Sequence, residues 1–326
     1  MKNDDVLISV VMPAYNASAY IGEAIRSVLH QTWEKWELII VDDGSTDDTF
    51  HIADTCSAND ERIHVYRQTN KGGCVARNEA LKHISGDYVL FLDADDLLDK
   101  DKLSAHMRVI IEQNYSSEEV TFGTCMRLLT SGEYVPSSMA HLCRNYQPAI
   151  DAQVAIWEEH FNSFPYSSYL IPKSLIQKVG IWDERLRRSQ DSEYMARVLS
   201  QASVLRFVPE AVFYYRQVPN SVSARQLTNE QIISEAIVCD KISDLVLAAE
   251  SSQRAKHACE VHYTDVLTAW YPQNRFIVRQ MHQAMRSRGW HLNFENRGKL
   301  FHLLYRFLGW RFASQIMRIK QRLLWI

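Results

Sequence analysis

Short apolar runs alternate with stretches of helical period along the first hundred residues. Residues 7–12 (LISVVM) are continuously apolar and rich in β-branched side chains, the pattern of a strand buried on both faces. Beyond Pro13-Ala14-Tyr15-Asn16, the residues Ile21, Ala24, Ile25, Val28 and Leu29 recur at helical spacing, with Ser18 placed to cap them. A second strand at 38–41 ends on Asp42-Asp43-Gly44-Ser45, where Ser45 or Thr46 can cap the next helix. A third strand is expected at 63–66, and Lys71-Gly72-Gly73 then leads into a helix carrying Val75, Ala76, Ala80 and Leu81. Residues 88–92 read as a fourth strand, and Asp99 opens a further helix. This rhythm predicts an α/β fold: a mostly parallel sheet with helices on both faces.

The second half is less regular. Residues 151–160 have helical character, 164–172 (FPYSSYLIP) look extended, and 173–180 form a short helix ended by Gly180. A loop leads into a helix at about 190–201, and 204–215 supply strand-like runs. Beyond residue 228 the period is helical. The expected division is a catalytic domain at 1–227 and a helical C-terminal region at 228–326.

Composition narrows the function. The chain has 326 residues, of which 46% are hydrophobic, enough for one large domain and an appendage. A formal net charge of -3, with no aromatic RNA-binding signature and no finger spacing, argues against nucleic acid as a partner. The opening MKNDDVLISVV places two acids before a short apolar run and does not read as a signal peptide. No run approaches the ~18 apolar residues of a membrane span. Six scattered cysteines without a CxxC pair, and twelve histidines without HExxH spacing, speak against zinc or a disulfide framework. A cytoplasmic location is expected.

The charge pattern changes the picture at one place. Residues 88–96 read YVLFLDADD, with three carboxylates crowded where a strand ends. Such charges repel unless they sit in a solvated turn or share a cation. In open α/β sheets ligands lie beyond the carboxyl ends of the strands. Pro13-Ala14-Tyr15-Asn16, Asp42-Asp43 and Asp93-Ala94-Asp95-Asp96 all fall there, so three segments deliver polar groups to one crevice. Mg²⁺ or Mn²⁺, which take oxygen ligands, would suit it. A loop in which Asp96 or Asp99 caps the next helix is the plainer reading.

Taken in order, SVVMPAYNASAYIGEAIRSVLHQT, ELIIVDDGSTDDT, NKGGCVARNEAL and GDYVLFLDADD resemble the family-2 inverting glycosyltransferases, whose fold is the nucleotide-binding α/β sheet called GT-A. The similarity covers residues 6–100 strongly and continues more weakly to about 223. It implies that Pro13, Ala14 and Tyr15 lie against the base and ribose of a nucleotide-diphosphate sugar, with a UDP-sugar expected. It implies that Asp42 hydrogen-bonds the base with Asp43 beside it, and that Arg77 lines the nucleotide pocket. Asp93-Ala94-Asp95 matches the DxD motif, Asp93 facing ribose and metal and Asp95 the more direct ligand of Mn²⁺ or Mg²⁺. Asp191, in SQDSEY, matches the catalytic base. The implied acceptor is a hydroxyl of a glycan or lipid-linked molecule, in surface polysaccharide synthesis.

The chemistry is coherent without the family. Inverting transfer needs one carboxylate to take the acceptor proton and positive charge to stabilise the departing diphosphate. Asp191 also reads as a helix N-cap, and the two roles are compatible. Two departures stand out. Gln190 occupies a position commonly Glu, and Val218 occupies the His position of a YRxHxxSxS pattern running from Tyr215 to Ser223, leaving Arg216 as either a diphosphate contact or a structural ion pair. Cys74, Trp33 and Trp36 read as packing, and Tyr166, Ser167 and Ser168 as a candidate acceptor groove. A nucleotide-sugar-binding protein without turnover, a nucleotidyltransferase and a glycosidase are the competing classes. PAYNASAY is not the basic glycine-rich loop a nucleotidyltransferase would carry, and paired carboxylates alone do not explain a nucleotide crevice.

From Asn296 to Ile326 there is no acid, while Arg297, Lys299, Arg306, Arg311, Arg318, Lys320 and Arg322 are basic. Leu300, Phe301, Leu303, Leu304, Phe307 and Leu308 share one helical face. Gly309 interrupts it, and Phe312, Ile316, Ile319 and Leu323 mark a second, rotated face. Two short amphipathic helices are expected, either packed on the protein or lying on an anionic membrane surface, where Trp310 and Trp325 would suit the interface.

Overall fold

A computed structural model describes residues 6–218, 228–294 and 298–323, with side chains to residue 317. The expected boundary at 227 and the segment 219–223 of the YRxHxxSxS pattern lie outside the described residues, as do Arg297 and Trp325. The chain forms two compact units, one of Met1–Ala152, Ser163–Leu186 and Gln190–Arg225, the other of Gln153–Asn162, Arg187–Ser189 and Gln226–Ile326.

The first unit is built on one sheet. Strands β1 (Ile8–Ala14), β2 (Trp36–Asp42), β3 (Ile63–Arg67) and β4 (Tyr88–Phe91) run parallel in the order β3-β2-β1-β4. The sheet continues through β8 (Tyr169–Pro172), β6 (Glu119–Leu128) and β9 (Val204–Arg216) to the short β5 (Leu97–Leu98), while β7 (Tyr134–Pro136) pairs with β6. Beyond β4 the pairing is mixed: β6 and β9 are parallel, but β8 is antiparallel to both β4 and β6. The fold is therefore GT-A-like α/β, parallel in its first half and mixed in its second.

Helices α1 (Ile21–Leu29), α2 (Thr49–Ser57), α3 (Gly73–Leu81) and α4 (Lys102–Glu112) alternate with the strands. In α1 the residues Ile21, Ala24, Ile25 and Val28 are all buried, the i, i+3, i+4, i+7 stripe that drives the helix onto the sheet. Strand β2 is buried along its whole length, Glu37 included. Glu37 is kept charged there because it accepts from the Ser9 hydroxyl at 2.5 Å and from the Ser85 and Gly86 amides at 2.6 and 3.1 Å. Burial alone would raise its pKa, yet these bonds lower it. A Cβ on Gly86 would lie 2.6 Å from the Ser9 oxygen, so only glycine fits.

The expected caps do not form. Tyr20 and Asp48 precede α1 and α2 without side-chain caps. Ser45 and Thr46 are instead taken by the loop after β1: the Asn16 amide donates to the Ser45 hydroxyl at 3.0 Å, and the Thr46 amide to the Asn16 side-chain oxygen at 2.9 Å. The Ser18 amide donates to Asp47 at 3.1 Å. Nor does Asp99 begin α4 directly; it follows β5 in a turn where its carboxylate accepts the Asp101 amide at 3.1 Å, and the helix starts at Lys102. Asp96 accepts the Arg216 amide at 3.0 Å rather than capping a helix.

Helices α5 (Asp151–Glu158), α6 (Lys173–Val179) and α7 (Gln190–Gln201) follow the expected ranges, and a short 3-10 turn, Tyr166–Ser168, enters β8. The second unit holds α8 (Asn229–Ala249), α9 (Gln253–Trp270), α10 (Arg275–Ser287) and α11 (Lys299–Leu323). A full capping box, Thr228 with Gln231, starts α8. Gly309 breaks α11 into two segments with φ 76° and ψ 164°. Phe301 turns inward onto Phe294 at 5.0 Å. Trp310, which would suit an interface in the membrane reading of the tail, is buried against Tyr271, ring centroids 5.4 Å apart.

Candidate active site

The ties between the first two loops bring the carboxyl ends of β1 and β2 together, and β4 lies hydrogen-bonded on the other side of β1. A cavity of about 490 Å³ opens above them. It is lined by Pro13, Ala14, Tyr15, Asn16, Ala17 and Tyr20, by Asp43, by Asn70, Gly72, Gly73, Ala76 and Arg77, by Asp93, Ala94 and Asp95, and by Val218. Eight of the ten named site residues are thus drawn around one space. Asp42 and Asp191 are not in its wall.

Tyr15 stands half exposed, an aromatic face available to a flat ligand. Asp43 is fixed by three donors: the Gln68 amide group at 2.7 Å and the Lys71 and Gly72 backbone amides at 2.8 Å each. It thereby shapes the turn that enters α3, where Gly72 has φ 99°. That helix begins at the cavity, and helix N-termini favour anions. Asp42 lies wholly buried behind, paired with Arg67 at 3.1 Å and accepting the Ser45 amide at 3.2 Å, while its second oxygen has no partner among the described residues.

Arg77 is held between aromatic rings, 4.9 Å from Tyr166 and 4.7 Å from Trp182. It donates to the Tyr166 hydroxyl at 2.6 Å and to Asp93 at 3.3 Å, and Tyr166 in turn donates to the same Asp93 oxygen. Burial opposes the guanidinium's charge, but Tyr166 and Asp93 outweigh it and push its pKa up. Asp93 therefore already has a cation. Asp95 forms no such ion pair among the described residues; its own backbone amide and the more distant charge of Arg216 favour its ionised form only in part. Burial, then the neighbouring Asp93, push its pKa up to about 6. Burial and the same neighbours raise Asp96 further.

Arg216 acts as a brace. It donates to the Asp95 carbonyl at 2.8 Å and pairs with Glu23 at 2.5 Å, fixing the acidic loop as a structural ion pair. Asp191, on the first turn of α7, has its pKa raised by burial, with Arg77 pulling it down and Asp93 pushing it up, so it feels both groups. Gln190 approaches Gly73, where an added Cβ would stand 4.0 Å from its side-chain oxygen.

The acidic loop after β4 can serve a divalent ion in one way. Among the described residues no three His, Cys, Asp or Glu side chains form a protein-only cage. A crowded Asp95 beside Asp93, its pKa raised by burial, fits instead an ion that takes one or two carboxylates and completes its shell with phosphate and water. Sequence reasoning passed over Tyr20, Asn70 and the clamp made by Tyr166. Asn70 stood in the NKGG segment, and Tyr166, read from the sequence only as part of a candidate acceptor groove, is a buried bridge between Arg77 and Asp93.

The sequence matches the model of "Glycosyl transferase family 2" over residues 9–125 and that of "Glycosyl transferase family group 2" over residues 88–325, most of the chain. The chain belongs to glycosyltransferase family 2. It is 30% identical over 253 residues to glycosyltransferase GlyG of Streptococcus pneumoniae, covering 74% of this chain and 81% of that one. It is 48% identical over 115 residues to the putative teichuronic acid biosynthesis glycosyltransferase TuaG of Bacillus subtilis, covering 35% and 46%. A UDP-Glc:α-D-GlcNAc-diphosphoundecaprenol β-1,3-glucosyltransferase, WfgD of Escherichia coli, is 41% identical over 115 residues, covering 35% and 44%. The match thus spans less than half the length of the latter two. In fold, S. aureus TarS 1-349, solved with UDP-GlcNAc, superposes with a TM-score of 0.62 at 17% identity over 89% of this chain and 94% of that one. Family membership sets aside the nucleotidyltransferase and glycosidase readings. No helix among the described residues of this glycosyltransferase is long and apolar enough to cross a membrane.

Proposed function

We propose that this glycosyltransferase moves a sugar, with inversion, from a UDP-sugar to a hydroxyl of a glycan or lipid-linked acceptor in surface polysaccharide synthesis. One observation carries the reading: Tyr15, Asp43, Arg77, Asp93 and Asp95 from four chain segments line a single cavity. TarS was solved in complex with UDP and UDP-GlcNAc, TuaG is assigned to teichuronic acid biosynthesis, and WfgD is a UDP-Glc-dependent glucosyltransferase acting on a GlcNAc-diphosphoundecaprenol, which supports the choice of donor and acceptor class. Residues 1–227 are assigned the catalysis and 228–326 the helical appendage. The reaction is placed in the cytoplasm, in keeping with six free cysteines.

In this reading Pro13, Ala14 and Tyr15 bear on base and ribose. Asp43 holds the loop that shapes the base pocket, with Asp42 behind it. Arg77 keeps Asp93 oriented toward the donor. Asp95, with Asp93, would hold Mg²⁺ or Mn²⁺, which supplies positive charge for a departing diphosphate. Asp191 takes the proton of the acceptor hydroxyl as its oxygen bonds to the anomeric carbon and the bond from that carbon to the diphosphate breaks on the opposite face. A carboxylate whose pKa is raised by burial is a stronger base for this step.

Thermal-shift measurements with a panel of nucleotide sugars and Mn²⁺ test the assignment. Stabilisation by UDP-sugars above other nucleotides is expected; no shift with any nucleotide sugar would remove it.

A further inference from the structure

We infer that α11 is an interfacial helix pair that seats this chain on an anionic lipid bilayer. The helix docks on its own unit by a narrow set of contacts: Phe301, Trp310 and Ala313 are buried, with Phe301 on Phe294 and Trp310 on Tyr271. Most of the other large apolar side chains face outward. Leu303 is 56% exposed, Phe307 74% and Phe312 60%, and Leu300, Leu308 and Ile316 are exposed as well. On the first segment Leu300, Leu303 and Phe307 recur at i, i+3, i+7, so they form one stripe. On the second, Phe312 and Ile316 recur at i, i+4. A helix needing only to pack would turn these residues inward, because exposing so many is unfavourable in water.

Charge identifies the occupant. Residues 298–323 contain six Lys or Arg and no Asp or Glu. Lys299 and Arg306 are exposed and border the first stripe, and Arg311 is exposed beside Phe312. A second protein surface would have to supply both an apolar groove and six compensating acids. An anionic bilayer supplies both as one medium: acyl chains for Leu303, Phe307 and Phe312, and headgroup phosphates for the basic border. The kink at Gly309 lets the two stripes be presented separately. No helix among the described residues is long and apolar enough to cross a bilayer, and an amphipathic helix of this kind lies in the plane of the interface. In α10, Phe276 is 68% exposed between Arg275 and Gln-flanked Arg279, repeating the pattern in the same unit.

The test is co-sedimentation of the full chain with sucrose-loaded vesicles, of phosphatidylcholine alone or with phosphatidylglycerol. The chain should pellet with the anionic vesicles, and less so as salt rises. Leu303→Ser/Phe307→Ser/Phe312→Ser, all at exposed positions, should reduce binding at least about ten-fold while leaving the thermal midpoint and the UDP shift unchanged. Lys299→Gln/Arg306→Gln should weaken binding to anionic vesicles alone. Equal pelleting of wild type and triple variant, no pelleting at all, or equal affinity for neutral vesicles overturns the inference. So does a dimer that the triple variant converts to monomer without any vesicle binding in the wild type.

Discussion

Arg77 and Asp93 meet at 3.3 Å, and the Tyr166 hydroxyl bridges them, accepting from Arg77 at 2.6 Å and donating to the same Asp93 oxygen. The consequence is a division of labour between two acids two residues apart. Asp93 is paired and oriented by the protein, whereas Asp95, which forms no ion pair among the described residues, is the acid proposed to meet an external cation.

Tyr166→Phe removes only the bridging hydroxyl. The ring still stacks near Arg77, but Arg77 and Asp93 each lose a partner in a buried setting. A loss of about 1–3 kcal/mol in stability is expected from the unmet donor and acceptor. UDP affinity should fall as Asp93 loses its fixed orientation. Thermal denaturation and UDP titration calorimetry together check this, and a variant matching wild type in both would show the bridge to be idle.

Asp95→Ala removes the carboxylate that forms no ion pair among the described residues. The Mn²⁺-dependent part of UDP binding should disappear, and chelation with EDTA should reduce the wild type to the level of the variant. Because Asp95 is crowded by Asp93 and Asp96, losing it should leave the fold as stable or slightly more so without metal. Identical UDP affinity with and without Mn²⁺ in the wild type would reject the metal assignment.

The first half of this fold was legible because its signals are local. The LISVVM run becomes β1, and the period of Ile21 to Val28 becomes a buried stripe on α1. The ordered loops after β1, β2 and β4 could be placed in one crevice from strand order alone. The insertion of β8 and β6 between β4 and β9 was not legible, because antiparallel neighbours are chosen by contacts distant in sequence. Gly123 illustrates the point. Nothing local marks it, yet a Cβ there would fall 1.8 Å from the Ala211 carbonyl at the β6–β9 irregularity. The caps assigned to Ser18, Ser45 and Thr46 failed for a similar reason, since the partners that claimed Ser45 and Thr46 belong to the loop after β1, about thirty residues away.

Asp191→Asn keeps the shape of the side chain and removes its basicity. If Asp191 takes the acceptor proton, turnover should fall about 10²–10⁴-fold while UDP and Mn²⁺ binding stay near wild type. Restoring Glu at position 190, as Gln190→Glu, would add a negative charge beside the base and should raise its pKa. The acid limb of the pH–rate profile should then move to higher pH. Unchanged turnover in Asp191→Asn would assign the residue to the start of α7 and nothing more.

Lys102 supplies a test that concerns the scaffold alone. Its side chain is fully buried, with the ammonium nitrogen 3.3 Å from the His106 ring, 3.3 Å from the Ser168 carbonyl and 3.4 Å from the Ala211 carbonyl. His106 in turn meets the Thr121 hydroxyl at 2.9 Å. Burial pushes the pKa of Lys102 down to about 7 from an ordinary 10.5, with Cys125 and Asp99 opposing only weakly, and burial together with Lys102 lowers His106 as well. Between those two values the unfolded chain binds a proton that the folded chain does not, so stability rises with pH across that window. Below about pH 7 both states are protonated and the burial penalty is present in full. Lys102→Met cannot titrate, so the melting temperature of the variant minus that of the wild type should be largest near neutral pH and shrink steadily toward pH 10. A difference that stays flat over that range would mean that Lys102 remains charged in the folded protein, with its two carbonyl partners and His106 sufficing to hold the ammonium in the interior.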